Sequence, residues 1–169
     1  DHQLYNDKFE KSDLILMSET VFTTTFYQNK TQCPASTLKI QRGLENLSKE
    51  SGAIIISGAF CKAEEKQYNC LYSFENGKMN DTIYKKRSLV PFGEFIPFGK
   101  TLEKVFPFIK NINLSGNNLS QGATSDVFAT YKGAFGAMIC FDSMFPKNAL
   151  DSVRNGAEAI LLSTNDSWY

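Results

Sequence analysis

The sequence predicts an α/β layered domain (α+β in its layering) with a substantial sheet. Three observations predict it: short apolar runs bounded by turn residues, one long window at helical spacing among them, and a second helix signal between strand-like runs near the end. Asp13–Met17 (DLILM) reads as a short buried strand ending at Ser18-Glu19. Residues 37–50 place Leu38, Ile40, Leu44 and Leu47 at helical spacing, with Gly52 as the stop. Ala53–Phe60 is strand-like, and Tyr68–Phe74 is its hairpin partner, closed in turn by Asn76-Gly77. Ile83–Leu89 reads as the start of another strand, and residues 91–123 are rich in Pro, Gly, Asn and Phe without a period. Val127–Tyr131 and Phe135–Ile139 are strands joined around Lys132-Gly133, with Cys140 at the end of the second. Pro146 opens a helix to about Asn155, capped by Gly156, and Ala159–Ser163 is a last buried strand.

A chain of 169 residues suits one domain, and 42% hydrophobic with 21% charged residues is an ordinary globular composition. Lys+Arg and Asp+Glu both number 18, so there is no basic surplus to meet phosphates, and nucleic acid is not an expected partner. The single histidine is His2, at a chain end where side chains fray. That argues against Ser-His-Asp and Cys-His nucleophiles and against a catalytic zinc site. An enzyme built on this chain with a nucleophile must draw its base from Glu, Asp or Lys. No metal or organic cofactor is implied.

The cysteines are Cys33, Cys61, Cys70 and Cys140, with no CxxC pair. A two-residue turn at Glu65-Lys66 would set Cys61 directly opposite Cys70, where a cross-strand disulfide is conceivable; two half-buried thiols are the plainer alternative. No signal peptide is visible, and no apolar run approaches the ~20 residues of a membrane-spanning helix. The chain starts at Asp1 without Met, which suggests a piece of a longer protein. Gly93–Thr101 (GEFIPFGKT) imitates a phosphate-binding loop but has five residues between its glycines, and Pro97 with Phe95 and Phe98 replaces the small residues such a loop needs. Six N-x-[ST] matches, at Asn29, Asn46, Asn80, Asn113, Asn118 and Asn165, follow from a composition with 13 asparagines.

Three segments place a reactive side chain just after a strand: LILMSE with Glu19, YKKRSLVPFGEFIP with Lys85, Lys86 and Glu94, and GAMICFD with Cys140. Taken singly, each has an ordinary structural explanation: a surface carboxylate, a solvated lysine, a core thiol. Together they resemble the nitrilase (carbon-nitrogen hydrolase) superfamily, and within it the apolipoprotein N-acyltransferase branch. The resemblance rests on Tyr84-x-Lys86-x-x-Leu89-Val90-Pro91-Phe92-Gly93-Glu94-Phe95-Ile96-Pro97, on Ile139-Cys140-Phe141-Asp142, and on Ser163-Thr164-Asn165-Asp166-Ser167-Trp168. In order and spacing it runs from Asp13 to the end.

The resemblance implies a four-layer αββα sandwich, here one nitrilase-like domain over residues 1–169, truncated at both ends. It implies Glu19 as general base, Cys140 as nucleophile forming a thioester, and Lys86 rather than Lys85 as oxyanion stabiliser, with the Phe141 N–H as second donor. Glu94 would orient Lys86 or Glu19, and Asp142, Asn165 and Trp168 would support the site. The implied reaction moves a fatty acyl chain from a membrane phospholipid to the N-terminal amine of a diacylglyceryl-cysteine lipoprotein. The parent protein would sit in the bacterial inner membrane through helices outside this chain, with this domain on the periplasmic side. Phe92, Phe95, Phe98, Phe106 and Phe108 suit an apolar wall for acyl chains or ordinary core filling. Three departures stand out. Ser18 precedes Glu19 where the family usually has Pro, Met17 stands where Trp is common, and Phe141-Asp142 replaces Tyr-Glu, so that a contact made by Glu is expected to be missing or rearranged. Two alternatives share the fold: a soluble nitrilase-type amidase, and an inactive lipid- or peptide-binding relic.

Overall fold

The computed structural model describes residues 12–27, 29–95 and 119–165, and the structural statements below concern these. Strands β1 (Leu14–Leu16), β2 (Ile54–Ala63), β3 (Lys66–Glu75) and β4 (Lys78–Lys85) form one sheet in that order. Strands β5 (Val127–Thr130), β6 (Gly133–Ile139) and β7 (Ala159–Ser163) form a second. β1 runs parallel to β2 and β7 parallel to β6, whereas the other pairs are antiparallel. Helix α1 (Ala35–Ser51) covers the first sheet, and α2 (Pro146–Arg154) covers the second.

The continuous apolar run in β2 has a direct cause: both of its faces are covered. Ile54 and Ile56 pack with Leu71 and Tyr84 against Phe128, Ala137 and Ile139 of the second sheet. Ile55 and Ala59 face the other way, joining Phe26, Leu44, Cys70, Tyr72 and Phe74 beneath α1. Each isoleucine is fully buried, and at roughly 1.5–3 kcal/mol per side chain the strand is a principal source of cohesion for both cores. α2 approaches the second sheet at Gly136, where any Cβ would lie 2.7 Å from the Cβ of Ser152. The layers are thus helix, sheet, sheet, helix, as the resemblance implies.

Several local expectations need correction. The buried stripe of α1 is Thr37, Gln41, Leu44, Glu45 and Ser48, and Leu47 is exposed. Polar residues occupy the inner face because they find partners there: Gln41 Nε2 donates to the Tyr27 carbonyl at 2.9 Å, and Ser48 Oγ accepts from Gly77 N–H at 3.1 Å. Gly52 does end the helix in a left-handed conformation, φ 69°. β1 and β7 are less buried than expected, because each has one ladder neighbour and forms a sheet edge. The strand expected over Ile83–Leu89 instead follows the Asn76-Gly77 turn at once and stops at Lys85.

The β2–β3 hairpin turns at Glu64-Glu65, with Ala63 opposite Lys66, and not at Glu65-Lys66. Neither dipeptide contains Gly or Asn, so local chemistry does not discriminate between them; Glu64 takes the positive φ of 56°. The register therefore moves by two residues. Cys61 pairs with Tyr68 and Cys70 with Ala59, which leaves the two cysteines diagonal to one another, and all four cysteines are free.

Candidate active site

The segments leaving β1 and β7 meet beyond the ends of the two sheets. Ser163 Oγ donates to the Met17 carbonyl at 2.9 Å, Glu19 N–H to the Thr164 carbonyl at 3.3 Å, and Asn165 Nδ2 to the Glu19 carbonyl at 3.2 Å. β6 ends beside β7, with Ile139 opposite Ser163, so Cys140 emerges on the same side as Glu19. Such strand ends hold side chains rigidly while leaving their tips at a cleft. The Glu19 turn crosses β2 at Gly58, where a Cβ would sit 2.5 Å from Thr20 N and 2.7 Å from Ser18 O. Only glycine permits that approach. Met17 and Ser18, the departures noted above, do not prevent Glu19 from being buried there.

Lys86 follows β4 directly. Its N–H donates to the Asn69 carbonyl and its carbonyl accepts from Gly122 N–H, each at 2.8 Å. Gly122 lies against Lys85, where a Cβ would come within 2.2 Å of the Lys85 carbonyl oxygen. Lys85 itself points elsewhere, its Nζ 4.7 Å from the centroid of the Tyr68 ring. Lys86 is 1% exposed, and its Nζ donates to Glu19 Oε1 and to Glu94 Oε1, both at 2.9 Å. Burial works to lower the Lys86 pKa, but the two carboxylates and their hydrogen bonds outweigh it and hold the ammonium above its ordinary range. An ammonium has three N–H donors, and two are used here. Glu94 is fixed in turn by Val90 N–H, which donates to its Oε2 at 2.9 Å.

Asn69, on β3, completes this cluster and was not singled out by sequence reasoning. Its Nδ2 donates to Glu19 Oε1 at 2.7 Å and to Glu94 Oε1 at 3.4 Å. The available signal was a polar residue between Tyr68 and Cys70 in a strand with two covered faces; such a residue needs a partner.

Cys140 is half-buried and adopts φ 44°, an uncommon conformation for a residue other than glycine, as the chain turns from β6 into a 3-10 helix over Cys140–Met144. Burial raises the thiol pKa above its ordinary value, and the Glu19 charge, and more weakly that of Glu94, adds to the rise. Lys86 and the Phe141 N–H pull the other way without reversing it. The thiol is therefore largely protonated at rest. The Phe141 ring packs edge-on against Phe145, 5.4 Å between centroids.

Asp142 is fully buried. Oδ2 accepts from Tyr84 Oη at 2.8 Å and Ile139 N–H at 3.0 Å. Oδ1 accepts from Ser88 N–H at 2.6 Å and Arg87 N–H at 3.2 Å. Asn148 Nδ2, on α2, donates to the Asp142 carbonyl at 3.0 Å and to Ser88 Oγ at 2.9 Å. One carboxylate thus ties the turn carrying Cys140 to the loop following Lys86. Ser88 and Asn148 escaped sequence reasoning, and Tyr84 entered it only as part of the motif, because nothing local marks them as partners of Asp142. Trp168, Ile96, Pro97, Phe98, Phe106, Phe108 and His2 lie outside the described residues; Phe92 is exposed and Phe95 packs with Phe60, Leu89 and Leu119.

The model of the carbon-nitrogen hydrolase family matches residues 5–169. The chain is 29% identical to an apolipoprotein N-acyltransferase of Bdellovibrio bacteriovorus, over 96% of this chain and 30% of that protein. It is 32% identical to an apolipoprotein N-acyltransferase of Geobacter metallireducens, over 94% of this chain and 29% of that protein. It therefore spans less than a third of the length of these curated relatives. Among solved structures, a carbon-nitrogen hydrolase from Helicobacter pylori G27 superposes with a TM-score of 0.63 at 18% identity, over 96% of this chain and 51% of that one, which is a likeness of fold.

Proposed function

The chain belongs to the carbon-nitrogen hydrolase family, and from that premise we propose that it carries the catalytic site of an apolipoprotein N-acyltransferase, with Glu19, Lys86 and Cys140 as its triad. The observation that carries the reading is the buried Glu19–Lys86–Glu94 cluster acting electrostatically on the Cys140 thiol; the likeness to N-acyltransferases supports the choice of substrates.

Glu19 takes the proton of Cys140 as the thiolate attacks the ester carbonyl of a phospholipid acyl chain. The third N–H of Lys86 and the Phe141 N–H stabilise the oxyanion. Collapse breaks the ester C–O bond, Glu19 returns the proton to the departing lysophospholipid oxygen, and the acyl group remains on Cys140 as a thioester. The N-terminal amine of a diacylglyceryl-cysteine lipoprotein then attacks that carbonyl and gives its proton to Glu19. An amide forms, the C–S bond breaks, and the proton returns to the thiol. Glu94 and Asn69 hold Glu19 and Lys86 throughout, while Asp142 and Asn165 fix the turns that carry the site; Trp168 belongs to the same supporting set in this reading. Both substrates are amphiphiles, so the reading assigns the full-length protein to the bacterial inner membrane with this domain on the periplasmic side. No helix among the described residues is long and apolar enough to cross a membrane.

The test is the intact mass of the full-length protein after incubation with phospholipid, beside Cys140→Ala. Gain of one acyl group, absent from the variant and discharged by a lipopeptide amine, is the expected result. No adduct, with a small amide hydrolysed instead, moves the assignment to a nitrilase-type amidase; neither signal leaves the inactive relic.

A further inference from the structure

The chain around Glu19 is extruded from the first sheet and strained where it turns back. Met17 N–H donates to the Ile56 carbonyl at 2.8 Å, and Phe22 N–H donates to the Gly58 carbonyl at 3.2 Å. β2 advances only from Ile56 to Gly58 between these anchors, so Ser18, Glu19, Thr20 and Val21 must loop out between them. Val21 N–H closes that loop on the Ser18 carbonyl at 3.3 Å, which puts Glu19 and Thr20 at the centre of a tight turn. Thr20 takes φ 44°. A positive φ at the second central position of a turn suits glycine or asparagine, and a β-branched residue is a genuine outlier there. The hydroxyl does not compensate: Thr20 is 5% exposed, and its Oγ1 has no hydrogen-bond partner among the described residues. The other described non-glycine residues with positive φ fall into two groups. Glu64 and Asn76 sit in hairpin turns, whereas Phe92 lies two residues before Glu94 and the last is Cys140 itself. Outside the hairpins, left-handed backbone at described residues other than glycine is thus confined to the segments that carry the site.

Such strain persists only where the surrounding structure over-determines it. Here the surroundings are explicit. Gly58 lets the Thr20 backbone lie against β2, and the Glu19 amide and carbonyl are held by Thr164 and Asn165. With both anchors fixed, the left-handed step at Thr20 decides how the chain returns to β2, and so the direction in which the Glu19 side chain leaves the turn. That direction leads to Lys86 Nζ at 2.9 Å and Asn69 Nδ2 at 2.7 Å. We propose that Thr20 is a positioning residue for the acyl transfer, its enclosed, branched side chain locking the left-handed turn that aims the Glu19 carboxylate at Lys86. Glycine would adopt the same conformation without strain but would also leave it readily. Thr20 accepts the strain and keeps the turn in one conformation. The inference rests on the reading of Glu19 as the base of that transfer, and the unpaired hydroxyl plays no part in it.

The experiment compares Thr20→Gly with Thr20→Val in the full-length protein. Two readouts are taken: the rate of Cys140 acylation by phospholipid, and the pH midpoint of iodoacetamide labelling mapped to the Cys140 peptide. Thr20→Gly should keep its fold in thermal unfolding, since glycine takes a positive φ at no steric cost. Its acylation should slow roughly tenfold, because a small misplacement of a catalytic group is felt strongly in the rate. Its labelling midpoint should fall, as a negative charge that raises the thiol value is no longer held beside it. Thr20→Val restores the branched shape without the hydroxyl and should rescue both readouts. An unmoved labelling midpoint in Thr20→Gly overturns the proposal, whatever the acylation rate. Thr20→Val as impaired as Thr20→Gly also overturns it, since the hydroxyl would then be the group that matters. If phospholipid fails to acylate even the unaltered protein, the acyl-transfer reading fails, and the labelling midpoint still decides whether Thr20 holds Glu19 in place.

Discussion

Cys140 and Cys61 are both half-buried thiols near a lysine, yet their surroundings drive them in opposite directions. Around Cys140 one ammonium is shared by two carboxylates, and burial and the Glu19 charge keep the proton on sulfur. Around Cys61 a neighbouring thiol and Lys85 favour the thiolate. A nearby lysine does not by itself make a reactive cysteine; what matters is whether its charge is already matched. Cys140 gains reactivity when a base accepts its proton during attack, whereas the neighbours of Cys61 lower its pKa against the effect of burial.

The largest expected effect comes from removing the carboxylate that separates the two cases. Glu19→Gln should slow acylation of Cys140 by phospholipid about 10²–10⁴-fold, as the loss of a general base predicts. It should also move the pH midpoint of Cys140 alkylation downward, because a negative charge that raises the thiol pKa has gone. Slower acylation with an unmoved alkylation midpoint would break the comparison. Asp142→Asn comes next. It turns an N–H donor toward the backbone donors of Arg87 and Ser88 or of Ile139, and should cost about 2–4 kcal/mol in denaturant unfolding. In the variant that still folds, alkylation should change at Cys140 and stay constant at Cys61, since the hydrogen bonds of that carboxylate go to Tyr84, Arg87, Ser88 and Ile139. Lys85→Met should move the pH midpoint of Cys61 alkylation slightly upward, since the lysine charge is a minor cause of the lowered value. The smallest effect is on alkaline stability. The ion pairs hold Lys86 above its ordinary value of 10.5, so their contribution is complete below that value and is lost as pH rises through the higher folded value. Glu94→Gln should flatten that loss in unfolding experiments across the alkaline range.

Much of the layering was legible in the sequence because apolar run length and turn residues report it directly: α1, β2, β3, α2 and the end of β6 at Cys140 fall where the pattern puts them. The hairpin register was not, since two acidic residues and a lysine give a turn no local preference. The candidate residues Glu19, Lys86 and Cys140 were singled out together by the resemblance, and the structure brings Glu19 and Lys86 into contact. The contacts of Asn69 and Tyr84 were not legible, because they depend on partners 50 and 58 residues away in the chain. Asp142, noticed as a departure, reaches two strands and a loop although it is a methylene shorter than Glu.

The Glu19 N–H donates to the Thr164 carbonyl, linking the segment that leaves the first sheet's edge strand to the segment that leaves the second's. A single amide thereby reports on two things at once, the seating of the Glu19 carboxylate and the docking of the sandwich halves. Its hydrogen–deuterium exchange should follow sub-global opening of the interface between the sheets, and not the fraying of β1 alone. Substitutions deep in that interface, at Ile56 or Ile139, would then quicken exchange at Glu19 before the molecule as a whole unfolds, making chemical competence the most sensitive gauge of how firmly the two sheets are clasped.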